Sequence, residues 1–404
     1  MTIGFRPDDL RKRNRASVIS AIRRLNGPSR TELATATALS QSTISAICGD
    51  LIAEGILSER KGGDPSANRR GRPQVALDLD PDGARVLAIS LSLNALSTTL
   101  IDYAGGVVDS RHERIATQSM GRDQLESRCL ELVGDLLRAH SHGAPVLQAV
   151  IAVQGTTDRA ERRMLWSPIT AEGDVAFADA IERRFAIPTI VENDCNMMAE
   201  ALRWHAPDRY GQTFVTILLS DGIGMGLMFQ NRVFKGSRSS GGEFGHMTHR
   251  PDGALCRCGR RGCIEAYAGN YAILRAAGGL SPDAAPAADI DDDAMRALGE
   301  SARHADGPPR RAFEAAGEAL GFGLGDVFAL IDPAPVAFVG IGAAALDLME
   351  PSIRAALART RGGQDADIAF DAFVDELSLT RQGSAMRALT RLDTEIFAAG
   401  RPSI

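Results

Sequence analysis

The sequence lacks any uninterrupted apolar stretch of about 18 residues, the run that a membrane-crossing helix needs. No membrane partner is therefore expected. Residues 1–15 also lack the apolar core of a secretion signal and carry Arg11, Lys12, Arg13 and Arg15 instead. The expected compartment is the cytoplasm. Lysine is nearly absent, with 3 residues against 42 arginines, a bias that base composition explains as readily as nucleic-acid binding does. Cysteine is sparse: Cys48, Cys129 and Cys195 stand alone, and only Cys256, Cys258 and Cys263 cluster. In a cytosolic chain such a cluster points to metal before disulfide. The rest is ordinary, since 44% hydrophobic and 24% charged residues exclude wholesale disorder and collagen-like repeats. A chain of 404 residues holds about two to three domains.

The formal net charge of −6 hides a split. Residues 1–77 carry 13 basic and 7 acidic side chains, net +6, which leaves −12 for the remainder. A basic head on an acidic body predicts nucleic-acid contact at one end. Within the head, Val18, Ile19, Ile22 and Leu25 recur at helical spacing before Gly27-Pro28 breaks the run. Ser29 or Arg30 opens a short second helix. A third, over roughly 41–54, sets Ile44, Ile47, Leu51 and Ile52 on one side. Ser42, Thr43 and Ser45 lie at its opening, where a recognition helix meets the major groove. Strands at 55–60 and 75–79 flank a Gly/Arg/Pro loop. Residues 1–80 thus read as a winged helix-turn-helix, with a plain helical bundle as the alternative. Its candidate DNA contacts are Arg30, Gln41, Ser42, Thr43 and Ser45, with Arg69, Arg70 and Arg72 at a wing tip suited to a minor groove.

Asp80-Pro81-Asp82-Gly83 marks a boundary. Beyond it, 84–102 and 107–115 read as paired strands around Tyr103–Gly106. Helices at 122–140 and 175–186 then alternate with strands at 146–154, 188–191, 214–219, 226–230 and 335–340. This order predicts an α/β architecture with two lobes. Residues 276–310, rich in Ala, Asp, Gly and Pro, read as a variable or mobile insertion, and about 380–398 as a last helix. No short internal repeat is visible.

Three segments carry chemistry. In the first, His246 precedes Cys256, Cys258 and Cys263. One imidazole and three thiolates make a closed tetrahedral set, the ligand number of a structural zinc site. Gly259 and Gly262 permit tight turns between the thiols, and Arg257, Arg260 and Arg261 favour thiolate. His249 is a rival ligand that spacing does not exclude. In the second, Glu192-Asn193-Asp194 follows a predicted strand, at the carboxyl end where α/β proteins bind ligands. Asn beside Asp can hold two sugar hydroxyls, although the pair also makes ordinary turns. Glu243, His246 and Glu265 add hydrogen-bonding groups beside the metal cluster, a set suited to a polyhydroxylated ligand. In the third, Ser220-Asp221-Gly222-Ile223-Gly224 is either a phosphate-cradling turn or a plain hairpin turn, and Asp221 opposes phosphate.

On these residues the chain resembles the ROK family of bacterial sugar kinases and sugar-responsive transcriptional repressors, over nearly its whole length. Asn14-Arg15, Ser29–Ala34, Ser42-Thr43-Ile44-Ser45, Leu51–Gly55 and Gly71-Arg72-Pro73 resemble the repressor branch. The run from His246 through Cys263 resembles the family's zinc signature. The resemblance implies an actin-like, sugar-kinase-like (ribonuclease H-like) two-lobed domain behind the winged helix-turn-helix. Residues 84–195 would form the small lobe, joined by a C-terminal helix at about 380–404, and 196–379 the large, zinc-bearing lobe. It implies structural Zn2+ on His246, Cys256, Cys258 and Cys263. It implies a sugar site of Asn193, Asp194, Glu243, His246 and Glu265, His246 using its second ring nitrogen for the sugar. The implied partners are a double-stranded DNA operator, a small-molecule sugar effector and a second copy or more, as homodimer or homotetramer.

The departures bear on activity. Family kinases carry Asp-x-Gly-Gly-Thr in the first hairpin, where this chain has Ser90-Leu91-Ser92-Leu93-Asn94. Ser220-Asp221 stands where kinases have Gly-Thr, and Val339-Gly340-Ile341-Gly342 matches the nucleotide-base loop only in part. Phosphoryl transfer needs metal, phosphate cradle and base together, and only the base position, Asp194, is kept. No catalytic residue is expected. The segment 167–172 also departs from the family's aromatic-containing stretch. The expected function is a transcriptional repressor of carbohydrate genes controlled by a bound sugar, with an ATP-dependent sugar kinase as the alternative.

Overall fold

The computed structural model describes residues 7–60, 75–237, 239, 241–287, 290–364 and 367–400. The expected wing tip, Arg69, Arg70 and Arg72, lies outside the described residues.

The head is three helices and a two-stranded ribbon: α1 (Pro7–Leu25), α2 (Arg30–Thr37), α3 (Gln41–Ala53), β1 (Leu57–Arg60) and β2 (Ala76–Leu79). Hydroxyl caps set the turn. Ser29 and Glu32 form a reciprocal capping box at α2, and the Ser40 hydroxyl accepts from the Thr43 N–H at 3.1 Å at α3. Val18, Ile19, Ile22, Leu33, Ile44 and Leu51 form its buried face. Leu25, assigned above to that face, is exposed because α1 ends there. The boundary at 80–83 is a single tight turn, Pro81–Gly83, and not a linker. The head's core runs on through Ala84, Val86, Tyr103, Val150, Met197, Leu389, Leu392 and Phe397.

The first lobe contains β3 (Arg85–Ser92), β4 (Ala95–Asp102), β5 (Val107–Arg114), α4 (Arg122–Ala139), β6 (Val146–Val153), β7 (Thr156–Thr157), β8 (Met164–Trp166), α5 (Phe177–Phe185), β9 (Thr189–Asn193) and α6 (Asp194–His205). The span 84–102, expected as one strand, is two: Leu93-Asn94 turns it back, with Asn94 at φ 54°. The second lobe contains α7 (Pro207–Tyr210), β10 (Phe214–Leu219), β11 (Ile223–Phe229), β12 (Arg232–Val233), α8 (Glu265–Ala268), α9 (Asn270–Ala277), α10 (Asp292–His304), α11 (Pro308–Ile331), β13 (Val336–Val339), α12 (Leu346–Leu357) and β14 (Phe370–Phe373).

The two sheets have one topology. Their orders are β5-β4-β3-β6-β9 and β12-β11-β10-β13-β14, each an antiparallel meander extended by two parallel strands. The internal repeat is one of fold, with no repeated motif to betray it. The stretch 276–310 is not a mobile insertion throughout. Asp291 caps α10 there, and Met295 and Ala302 are buried in the second lobe's core.

The last helix, α13 (Glu376–Arg391), begins earlier than expected and crosses back to the first lobe, packing on α6, β3 and β6. The approach is close enough to need Gly383, since a Cβ there would meet the Met197 carbonyl oxygen at 1.7 Å. It ends in a π-helical turn, Leu392–Ile396, and a short 3₁₀ turn, Phe397–Ala399. Among the described residues, no helix is long and apolar enough to cross a membrane.

Candidate functional site

The carboxyl ends of β6 and β9 and the start of β11 open onto one pocket between the lobes. It is lined by Gln154, Trp166, Asn193, Asp194, Glu243, His246 and Glu265, among others. The five residues expected to hold a sugar are therefore together. Asn193 caps α6, its amide oxygen accepting from the Asn196 N–H at 3.1 Å, while its amide nitrogen donates to the Gly155 carbonyl at 3.1 Å. Glu265 is buried, accepting from the Ile223 N–H at 3.2 Å and the Tyr271 hydroxyl at 3.3 Å. Gln154, absent from the sequence reading, accepts from the Leu93 N–H at 3.2 Å.

Asp194 sits in the first turn of α6 and accepts from the Cys195 N–H at 2.8 Å. Burial nevertheless dominates and pushes its pKa from 3.8 up to about 6. The sign follows. A carboxyl whose folded value is raised stabilises the fold least once it ionises, so stability falls as pH rises through about 6. Two units at ~1.4 kcal/mol each make roughly 3 kcal/mol. Asp194→Asn should therefore raise the urea midpoint of the unliganded protein at pH 7.5 and change it little at pH 4. An equal gain at both pH values would contradict this origin.

His246, Cys256, Cys258 and Cys263 bring their ligating atoms within 4.8 Å of one another, and these four could hold a metal ion. Cys256 Sγ lies 3.7 Å from His246 Nδ1 and Cys258 Sγ 3.9 Å from Cys263 Sγ. Tetrahedral Zn–S bonds of about 2.3 Å put sulfurs about 3.8 Å apart, so the spacing fits. All six cysteines are free thiols. Hydrogen bonding from the Cys256 thiol, then from His246, holds the Cys258 thiol well below its ordinary value. The other ring nitrogen, Nε2, faces Glu243 at 3.9 Å, on the pocket side. His249 is outside the cluster; its ring packs on Tyr267 and Phe322, at 4.9 and 6.1 Å between centroids. Left-handed backbone at Gly259 (φ 83°) and Gly262 (φ 78°) folds the thiols inward.

At the other end of the cleft, carboxylates replace a phosphate cradle. Asp221 and Glu376 meet there with Asp194 nearby. Burial pushes Glu376 up to about 7 against a hydrogen bond from Ser220, and the Asp194 and Asp221 charges add to the rise. Burial raises Asp221 as well.

On the head, Gln41, Ser42 and Ser45 are exposed at the opening of α3, and Thr43 is half-buried. Arg30 is engaged by Glu59 at 2.8 Å. A feature invisible in the sequence ties this head to the lobe. Arg23 of α1 makes a bidentate pair with Asp393 of the π turn, at 2.7 and 2.9 Å, both side chains 95% or more buried. The Tyr103 hydroxyl donates to the same carboxylate at 2.6 Å, and Arg23 donates to the Tyr103 carbonyl at 3.0 Å. Burial, reinforced by Asp393, holds the Tyr103 phenol protonated. Arg15 donates to the Phe397 carbonyl at 2.9 Å.

The model of the ROK family matches residues 89–376. The chain belongs to the ROK family. The xylose repressor of Caldicellulosiruptor bescii is 28% identical over 253 residues, 61% of each chain. This ROK protein therefore spans about three fifths of the length of that relative. The DNA-binding transcriptional dual regulator NagC of Escherichia coli K12 is 22% identical over 352 residues, 87% of this chain and 86% of that one. A crystal structure of a ROK family transcriptional regulator, a homolog of the E. coli Mlc protein, superimposes with a TM-score of 0.74 at 22% identity, covering 95% of this chain and 96% of that chain. A ROK family glucokinase from Streptomyces griseus, in complex with glucose and AMPPNP, gives 0.60 at 22% identity, covering 76% and 99%. The regulator's coverage takes in the head; the two-lobed fold is common to both.

Proposed function

We propose that this ROK protein is a sugar-controlled transcriptional repressor, with the Asn193–Asp194 pocket as its effector site and α3 as its DNA-reading helix. The observation that carries the reading is the unbroken core shared by the helix-turn-helix and the lobe bearing the pocket. The xylose and N-acetylglucosamine repressors among its relatives support the same class. Asp194, Glu243 and Glu265 would accept from sugar hydroxyls, Asn193 would donate its remaining N–H, and His246 Nε2 would complete the ring of polar groups. Zinc on His246, Cys256, Cys258 and Cys263 would be structural, because four protein ligands leave no open position.

The route from ligand to DNA runs through two helices. Asp194 opens α6; α6 packs on α13; the end of α13 holds Arg23 and Arg15 of α1. The lobes are also bridged, since Lys235, after β12, contacts Glu161 and Glu192 of the first lobe, and Glu161 accepts from Arg387 of α13 at 3.0 Å. A sugar that favours one lobe closure would shift α13 and with it the spacing of paired heads in an oligomer. Kinase chemistry does not suit this cleft, because Asp221 and Glu376 would face the nucleotide's phosphates.

Fluorescence anisotropy on DNA from the protein's own upstream region tests the proposal. Selective, saturable binding is expected, weakening steeply with salt as phosphate-bound counterions are displaced, and shifted by one sugar of a panel. Absence of selective binding at low salt with zinc present would count against the repressor.

A further inference from the structure

We propose that the effector is a glycoside with a second sugar ring, held by Trp166, Thr156 and Arg260. The inference rests on the sugar-site reading of the inner pocket. That inner recess has a volume of only about 40 Å³, against roughly 300–1,000 Å³ for small-molecule sites. It has room for the hydroxyl edge of a ring and not for a ring with all its substituents. Directly outside it lies a cavity of about 350 Å³. The two share Trp166, Glu243 and His246, and Thr156, Cys258 and Arg260 complete the outer one. Most of the space open to a ligand is thus in the outer cavity.

The lining of that cavity suits a sugar ring. Trp166 is 40% exposed, a large indole presented on its wall. Its position is built in. β7 and β8 pair Thr156 with Trp166, and a Cβ at Gly155 would lie 2.3 Å from the Trp166 carbonyl oxygen. The indole meets His246 edge to face at 5.8 Å. An aromatic platform beside polar groups matches a pyranose, whose C–H faces are apolar and whose rim is hydroxylated. Arg260 is exposed, and among the described residues no carboxylate pairs with it. Its guanidinium offers five donors to ring hydroxyls. A phosphate or carboxylate substituent fits less well, because Glu243 and the Cys258 thiolate line the same cavity and offset the single positive charge of Arg260.

Isothermal titration of the full-length, zinc-replete protein tests this. The probes are disaccharides (cellobiose, maltose, lactose, trehalose), the component monosaccharides glucose and galactose, and glucose 6-phosphate. One disaccharide should bind at least about tenfold more tightly than its components, a ratio equivalent to ~1.4 kcal/mol. Trp166→Ala and Arg260→Gln should each collapse that ratio toward one. A monosaccharide or the phosphate binding as tightly as the best disaccharide overturns the second ring and leaves the inner sugar site standing. So does a ratio that survives both variants. If no sugar binds a protein that keeps its zinc and its thermal midpoint, the sugar site and the second ring fall together.

Discussion

Cys258→Ser should cut the metal content of the purified protein from about one zinc per chain to a small fraction and abolish sugar binding with it. The effect is expected to be large because residues 243–268 have little else to hold them. Their regular structure is two single helical turns and isolated bridges at Thr248–Cys263 and Leu255–Arg261. Their own apolar core is four small buried residues, two of them the proposed ligands Cys256 and Cys263. Structural zinc contributes about 10–16 kcal/mol to folding in zinc-finger peptides. Here the loss should be confined, since the second lobe's main core is built on β10, α11 and α12. Hydrogen exchange should show residues 243–268 opened and β10–β13 still protected. Sugar affinity should disappear because Glu243 and Glu265 lie in or beside the opened segment. Full metal content in the variant would refute the ligand set.

The second large effect is expected at Arg23–Asp393. Removing one partner of a buried ion pair leaves an uncompensated charge and costs about 3–5 kcal/mol. Arg23→Ala and Asp393→Ala should each destabilise by that order in urea unfolding, and the double variant by much less than their sum. Tyr103 adds to the asymmetry, since its phenol loses its acceptor only in the Asp393 variant. In the double variant the operator should still be bound, but the sugar should no longer shift it, because the contact between α13 and α1 is weakened. Additive destabilisation, or a sugar response of unchanged size, would remove this pair from the route between the sites.

Much of the site was legible because its groups lie in short runs. Asn193 and Asp194 are adjacent, and His246 to Cys263 span one segment, so spacing alone brought the ligands together. The choice between His246 and His249 needed the fold, since both are near the thiols in sequence and only one ring points at them. The residues missed were those whose partners are remote. Arg23, Tyr103 and Asp393 are separated by 80 to 370 positions, and nothing local marks them. Trp166 and Gln154 lie at the ends of predicted strands, the place where pocket residues are sought, and were legible in principle. The repeated strand order was hidden because topology is conserved by burial pattern, with no need for matching side chains. The 276–310 stretch misled because its composition is that of a loop, whereas Met295 and Ala302 at helical spacing were enough to anchor a helix.

The return of α13 to the first lobe also orders events in synthesis. β3, β6 and α6 expose the surface that α13 covers until the whole second lobe has left the ribosome, and α1 of the head waits on the same helix for Asp393 and the Phe397 carbonyl. A nascent chain stalled anywhere in the second lobe therefore carries a formed helix-turn-helix that is not yet docked. Quality control of this protein falls on its last helix: a chain that loses α13 to proteolysis or premature termination keeps the means to read DNA and loses the means to be told to let go.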